Sequence, residues 1–154
     1  MRHRPRPVRR LCALALAGSA ALLGGASSTP GATVTVTVTE MRSERGVVRA
    51  CMTTDPVRFP SCNTAGGAHS VVVPAGGAVT LTFAGVAPGR YAIALLHDEN
   101  NNGKIDRAMG MMPKEGFGFS RDARVRMGPP RFDAAAFEVG TESVSKRIRM
   151  RYML

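Results

Sequence analysis

Apolar and polar residues alternate strictly at the start of the folded region. Residues 33–39 read Thr-Val-Thr-Val-Thr-Val-Thr, a period of two that puts Val34, Val36 and Val38 on one face of a strand. After a polar turn at 43–46, residues 46–52 give a second strand through Val47 and Val48. Residues 53–68 carry Pro56, Pro60, Gly66 and Gly67 and read as irregular. Residues 70–73 are strand-like, and the turn Pro74-Ala75-Gly76-Gly77 separates them from 79–83, where Val79, Leu81 and Phe83 share a side. Pro88-Gly89 predicts a tight turn. The continuous apolar run within 90–97 suits a central strand covered on both faces.

Residues 98–106 form an acidic loop, and 107–131, rich in Gly, Met, Arg and Pro, read as mostly irregular. A short strand is expected in 134–139. A last strand spans 144–152, with Val144, Ile148, Met150 and Tyr152 on one face, Lys146 sharing it by parity, and Arg147, Arg149 and Arg151 on the other. Helical periodicity and internal repeats are both lacking. Six or seven short strands separated by turn signals predict an all-β fold, a small β-sandwich of about seven strands.

The residues before this region read differently. Residues 1–10 carry five arginines, 11–23 are apolar, and Gly24-Gly25-Ala26 offers small residues for cleavage. This is the order of a secretory signal peptide, and thirteen apolar residues fall short of the roughly 20 that span a bilayer. Residues 1–26 are therefore expected to be a signal peptide, cut somewhere in 26–32, and 33–154 a single secreted or periplasmic domain without a transmembrane span. The net charge of +10 shrinks accordingly. Without the five N-terminal arginines, sixteen basic residues face eleven acidic ones. Nucleic acid is not expected as a partner, because no aromatic platform is interleaved with the basic residues.

Export alters the reading of the cysteines. Cys12 leaves with the signal, and Cys51 and Cys62 remain as a pair in an oxidising compartment. A disulfide closing that short loop would contribute roughly 3 kcal/mol. A metal or redox pair is the alternative, with His69 the nearest histidine.

The most specific chemistry lies in Asp98-Glu99-Asn100-Asn101-Asn102-Gly103-Lys104-Ile105-Asp106. It matches the first nine positions of an EF-hand calcium loop. Oxygens of Asp98, Asn100 and Asn102 would converge on a hard cation, Gly103 would permit the sharp turn, and the Lys104 carbonyl and Asp106 would complete the ring. The twelfth position is Met109 instead of the bidentate Glu, and a strand rather than a helix enters the loop. Glu115 or Glu99 is the candidate for the missing oxygen. Weak Ca²⁺ binding is the expectation, on the order of 10⁻⁴–10⁻³ M. An Asx-turn connection without metal is the alternative.

Other candidates each have a plainer reading. His97 beside Asp98 or Glu115 suggests acid–base chemistry, but no nucleophile accompanies it, and a non-catalytic module is expected. Met109, Met111, Met112 and Met127 suggest a Cu(I) site, against methionines that fill apolar gaps. Gly116-Phe117-Gly118-Phe119 reads as rings plugging the sandwich while glycines allow close passage. Arg147, Arg149 and Arg151 could meet an anionic surface or an envelope protein, against a solvated face that guards an edge.

From residue 86 onward the chain resembles the bacterial secreted family catalogued as domain of unknown function 2141. The resemblance rests on Pro88-Gly89-Arg90-Tyr91-Ala92-Ile93-Ala94, the run from His97 to Asp106, Pro113-Lys114-Glu115-Gly116-Phe117-Gly118-Phe119-Ser120 and Pro129-Pro130-Arg131-Phe132-Asp133. It implies an immunoglobulin-like or transthyretin-like β-sandwich and supplies no activity.

Overall fold

The computed structural model describes residues 31–62 and 67–154. The expected signal peptide lies outside the described residues. The alternating segments become strands where their patterns place them: β1 (Ala32–Thr39), β2 (Val47–Thr53), β3 (His69–Pro74), β4 (Thr80–Val86) and β5 (Gly89–Asp98). The later chain adds a two-residue hairpin, β6 (Arg107–Ala108) and β7 (Met112–Pro113), then β8 (Gly116–Phe119), a helical turn α1 (Phe132–Ala135), β9 (Phe137–Val139) and β10 (Val144–Arg149).

Two sheets face each other. The smaller has the order β10-β1-β4, with β10 parallel to β1 and β4 antiparallel to it. The larger has the order β3-β2-β5-β8, and β9 pairs with the first residues of β5. Inward residues of both sheets make the main core. Val34, Val36, Val38, Leu81, Phe83 and Ile148 on one side meet Val48, Ala50, Met52, Tyr91, Ile93 and Leu95 on the other. Most are branched aliphatics, which suit a pleated buried surface. The all-β sandwich expected from the sequence is the observed fold.

β5 is buried on both faces, as its continuous apolar run implies. Its outward residues Ala92 and Ala94 belong to a second cluster with Phe59, Phe117, Phe119, Phe132 and Ala135. The Cys51–Cys62 disulfide forms as expected, with Cα atoms 5.5 Å apart. It holds the strap carrying Phe59 over this outer face, where the ring meets Phe119 and Phe132 edge-on at 5.9 and 6.0 Å.

The stretch 107–131 is mostly irregular, as expected, but β8 lies inside it and pairs with β5 through Ala94↔Phe119 and Leu96↔Phe117. Two expectations need correction. The Phe rings of β8 point into the outer cluster, not into the sandwich. Its glycines face the interior, and a Cβ on Gly118 would come within 2.9 Å of the Arg149 carbonyl and 3.0 Å of Ile148. The expected strand at 134–139 is half helical turn and half strand. In the gap between β8 and β9, the buried Ser120 hydroxyl continues the ladder, accepting from the Ile93 N–H at 2.9 Å and donating to the Ala135 carbonyl at 2.6 Å.

Candidate functional site

The acidic loop grows out of β5 at Asp98, whose carboxylate is fully buried. Oδ2 accepts from Arg49 Nε at 2.6 Å and from the Gly103 N–H at 2.8 Å, and Oδ1 accepts from the Asn102 N–H at 3.0 Å. Arg49 reaches it because β2 and β5 pair with Val47 opposite Asp98 and Arg49 opposite Leu96. Burial pushes the Asp98 carboxyl up, but Arg49 and the Gly103 and Asn102 amides outweigh it and hold it below the ordinary range. Gly103 has φ of +78°, the left-handed conformation that the sequence pattern assigns to its glycine.

The remaining expected ligands come together but are turned on one another. Asn100 Nδ2 donates to Asp106 Oδ2 at 2.7 Å, and Asn102 Nδ2 donates to Asp106 Oδ1 at 3.0 Å. The side-chain oxygens of Asn100 and Asn102 accept from the N–H groups of Asn102 and Lys104, as Asx turns do. Glu115 accepts from the Glu99 and Asp106 N–H groups with its two oxygens. Among the described residues, no three His, Cys, Asp or Glu side chains are grouped to hold a metal ion.

A second guanidinium grips the neighbouring carboxylate. Arg42, from the β1–β2 connection, pairs with Glu99 and also donates to the Lys114 carbonyl at 2.8 Å. The Arg42 hydrogen bond, helped by the Ser43 hydroxyl and opposed by burial, lowers the Glu99 carboxyl from 4.5 to about 2. His97 lies on the opposite face of β5 from Asp98, because successive strand residues alternate. It is fully buried, with Nε2 against the Arg45 carbonyl at 2.9 Å and Nδ1 against the Tyr152 hydroxyl at 2.7 Å. A carbonyl only accepts, so Nε2 carries a proton. His97 is thus enclosed, and its side-chain hydrogen bonds go to Arg45 and Tyr152, not to Asp98 or Glu115.

β10 ends at Arg149, short of the expected residue 152, and two of the three stripe arginines find partners. Arg151 donates to the Ala123 and Asp122 carbonyls at 3.0 and 2.9 Å, and the Arg149 guanidinium lies near Glu40 and Asp122 at 3.8 and 3.9 Å. Phe117 and Arg151 exchange backbone hydrogen bonds, which joins the end of this strand to β8 across the sandwich. Of the three, Arg147 alone makes no ion pair or side-chain hydrogen bond among the described residues, while Arg149 keeps about half of its side chain exposed.

What sequence reasoning missed is a groove of about 820 Å³ on the outer face of the larger sheet. Its floor is built from Ala94, Leu96, Phe117, Phe119 and the disulfide. The β6–β7 hairpin and residues 125–129 wall it, bringing Met111, Met112 and Met127, and Met153 adds a fourth thioether. These methionines are exposed, Met111 by 81% and Met127 completely, so they do not fill gaps. The charged residues lining the groove are Arg49, Arg107 and Arg126, with no carboxylate among them. The cluster Met109-Gly110-Met111-Met112 was visible in the sequence. Its exposure and its alignment with Met127 and Met153 depend on the fold. Met109 is exposed but lies off the groove.

No curated protein and no solved structure matches this chain. A family model described as an uncharacterized protein conserved in bacteria matches residues 36–147, from β1 to β10, and the chain belongs to that family, domain of unknown function 2141.

Proposed function

We propose that the protein is a non-catalytic binding module of the bacterial cell envelope, and that the outer-face groove is its binding surface. The observation that carries this reading is the methionine-lined concavity itself. Its volume of about 820 Å³ falls within the roughly 300–1,000 Å³ of ligand pockets, and clustered exposed apolar side chains mark interaction sites. Methionine adapts its shape to varied apolar partners. Export is supported by the signal pattern of residues 1–26. The test is binding of an apolar dye, Nile red, to the folded protein. Saturable fluorescence that is lost in the Met112→Glu/Met127→Glu variant supports the groove. Absence of binding, or binding indifferent to those exposed substitutions, removes it.

The 98–106 loop is read as the stiffening element beside the groove, with Arg49 acting as its internal cation. Calcium is the competing proposal, supported by the spacing of Asp98, Asn100, Asn102 and Asp106. The hydrogen-bond pattern favours the metal-free closure, since the amide nitrogens of both asparagines are directed at Asp106. Millimolar CaCl₂ is expected to leave the melting temperature unchanged. A saturable rise abolished by Asp106→Asn would instead establish the calcium loop.

A further inference from the structure

The groove accounts for an apolar ligand, but not for its charge pattern. Arg107 and Arg126 both border it, and neither makes an ion pair or side-chain hydrogen bond among the described residues. Several other arginines are engaged. Arg49 is held by Asp98, Arg42 by Glu99, Arg90 by Asp133, and Arg151 by backbone carbonyls. Two guanidiniums without a carboxylate partner thus line a concavity whose other lining residues are largely apolar and include no carboxylate. That combination is complementary to a molecule with one anionic end and a long apolar body.

The floor narrows the choice further. It is the face of a sheet, and its backbone groups along β2 and β5 are paired in the ladders with β3, β8 and each other. An extended peptide gains its affinity from an open sheet edge, which this face does not offer. An alkyl chain needs no backbone hydrogen bonds. The Phe117 and Phe119 rings are buried in the outer cluster, so they provide no stacking platform for nucleobases.

We propose, resting on the groove being the binding surface, that its ligand is a fatty-acyl carboxylate. The chain lies along the half-buried Leu96 between Met112 and Met127, and the carboxylate meets Arg107 and Arg126. A free single-chain anion is the committed occupant, not a bilayer surface.

Displacement of groove-bound Nile red by dodecanoate, compared with dodecanol, tests the proposal. Dodecanoate is expected to displace the dye about tenfold better than dodecanol, the factor that a charge-assisted hydrogen bond supplies. The Arg107→Gln/Arg126→Gln variant should lose that preference, read as the ratio of the dodecanoate and dodecanol displacement constants within the variant. Arg147→Gln, outside the groove, should retain it. Equal displacement by both compounds, or an unchanged preference in the double variant, overturns the carboxylate while leaving the apolar groove in place. Failure of the dye to bind at all is failure of the groove itself. Sedimentation with phosphatidylglycerol vesicles together with no displacement by dodecanoate would also overturn the proposal, by assigning the charge pattern to a membrane.

Discussion

Asp98 is a carboxylate taken entirely out of water, and such a group is stable only when its oxygens are matched. Arg49 and two amide groups match it. Arg49→Ala is expected to cost about 2 kcal/mol in urea denaturation, below the 3–5 kcal/mol typical of a broken buried pair, because the Arg49 side is partly hydrated. Adding Asp98→Asn to that variant should recover part of the loss, since the uncompensated charge then disappears. Glu99 gives a pH signature. Its folded value of about 2 lies below the ordinary 4.5, so its contribution is complete above about 4.5 and fades as pH falls toward 2. Asp98, also lowered, acts in the same direction. Acid titration of stability should therefore be flatter in Glu99→Gln than in the parent protein, as followed by circular dichroism. At this scale the sequence disclosed the loop's turn residues and the position of Gly103. It could not disclose Arg42 and Arg49, because those partners are set by loop docking and by the β2–β5 register.

Among the elements, the strands with alternating valines were legible, since β1 and β5 declare their burial through their own patterns. β8 was not. Its sequence Gly-Phe-Gly-Phe also alternates, but the side without side chains is the one that faces the core, so hydrophobic periodicity pointed the wrong way. Glycine there is a spacing device. It lets β8 approach Ile148 and the Arg149 backbone closely enough for Phe117 and Arg151 to exchange hydrogen bonds. Gly118→Val should overpack this contact and cost about 1–3 kcal/mol, read as a lower urea midpoint. An unchanged midpoint would show that the sheets can separate there without penalty. The short element β9 was half legible for a related reason. Ser120 and the α1 turn interrupt the ladder, and only tertiary contacts decide where strand pairing resumes.

At the scale of the whole molecule, a sandwich is expected to bury one face of each sheet. Here the larger sheet is covered on both, by the main core within and by the outer aromatic cluster with its disulfide-bound strap. That outer layer is incomplete, and the groove is the part left open. It was not legible because its lining comes from β2, β5, the β6–β7 hairpin, residues 125–129 and Met153, which meet only after folding. The protein contains nine methionines, which makes methyl NMR of selectively labelled methionine a direct map of the site. On addition of dodecanoate, the methyl signals of Met111, Met112, Met127 and Met153 should shift together and saturably. Those of the buried Met52 and Met150, and of Met109 outside the groove, should stay in place. Shifts confined to Met109, spread evenly over all methionines, or absent at saturating ligand would contradict the assignment of the groove as the binding surface.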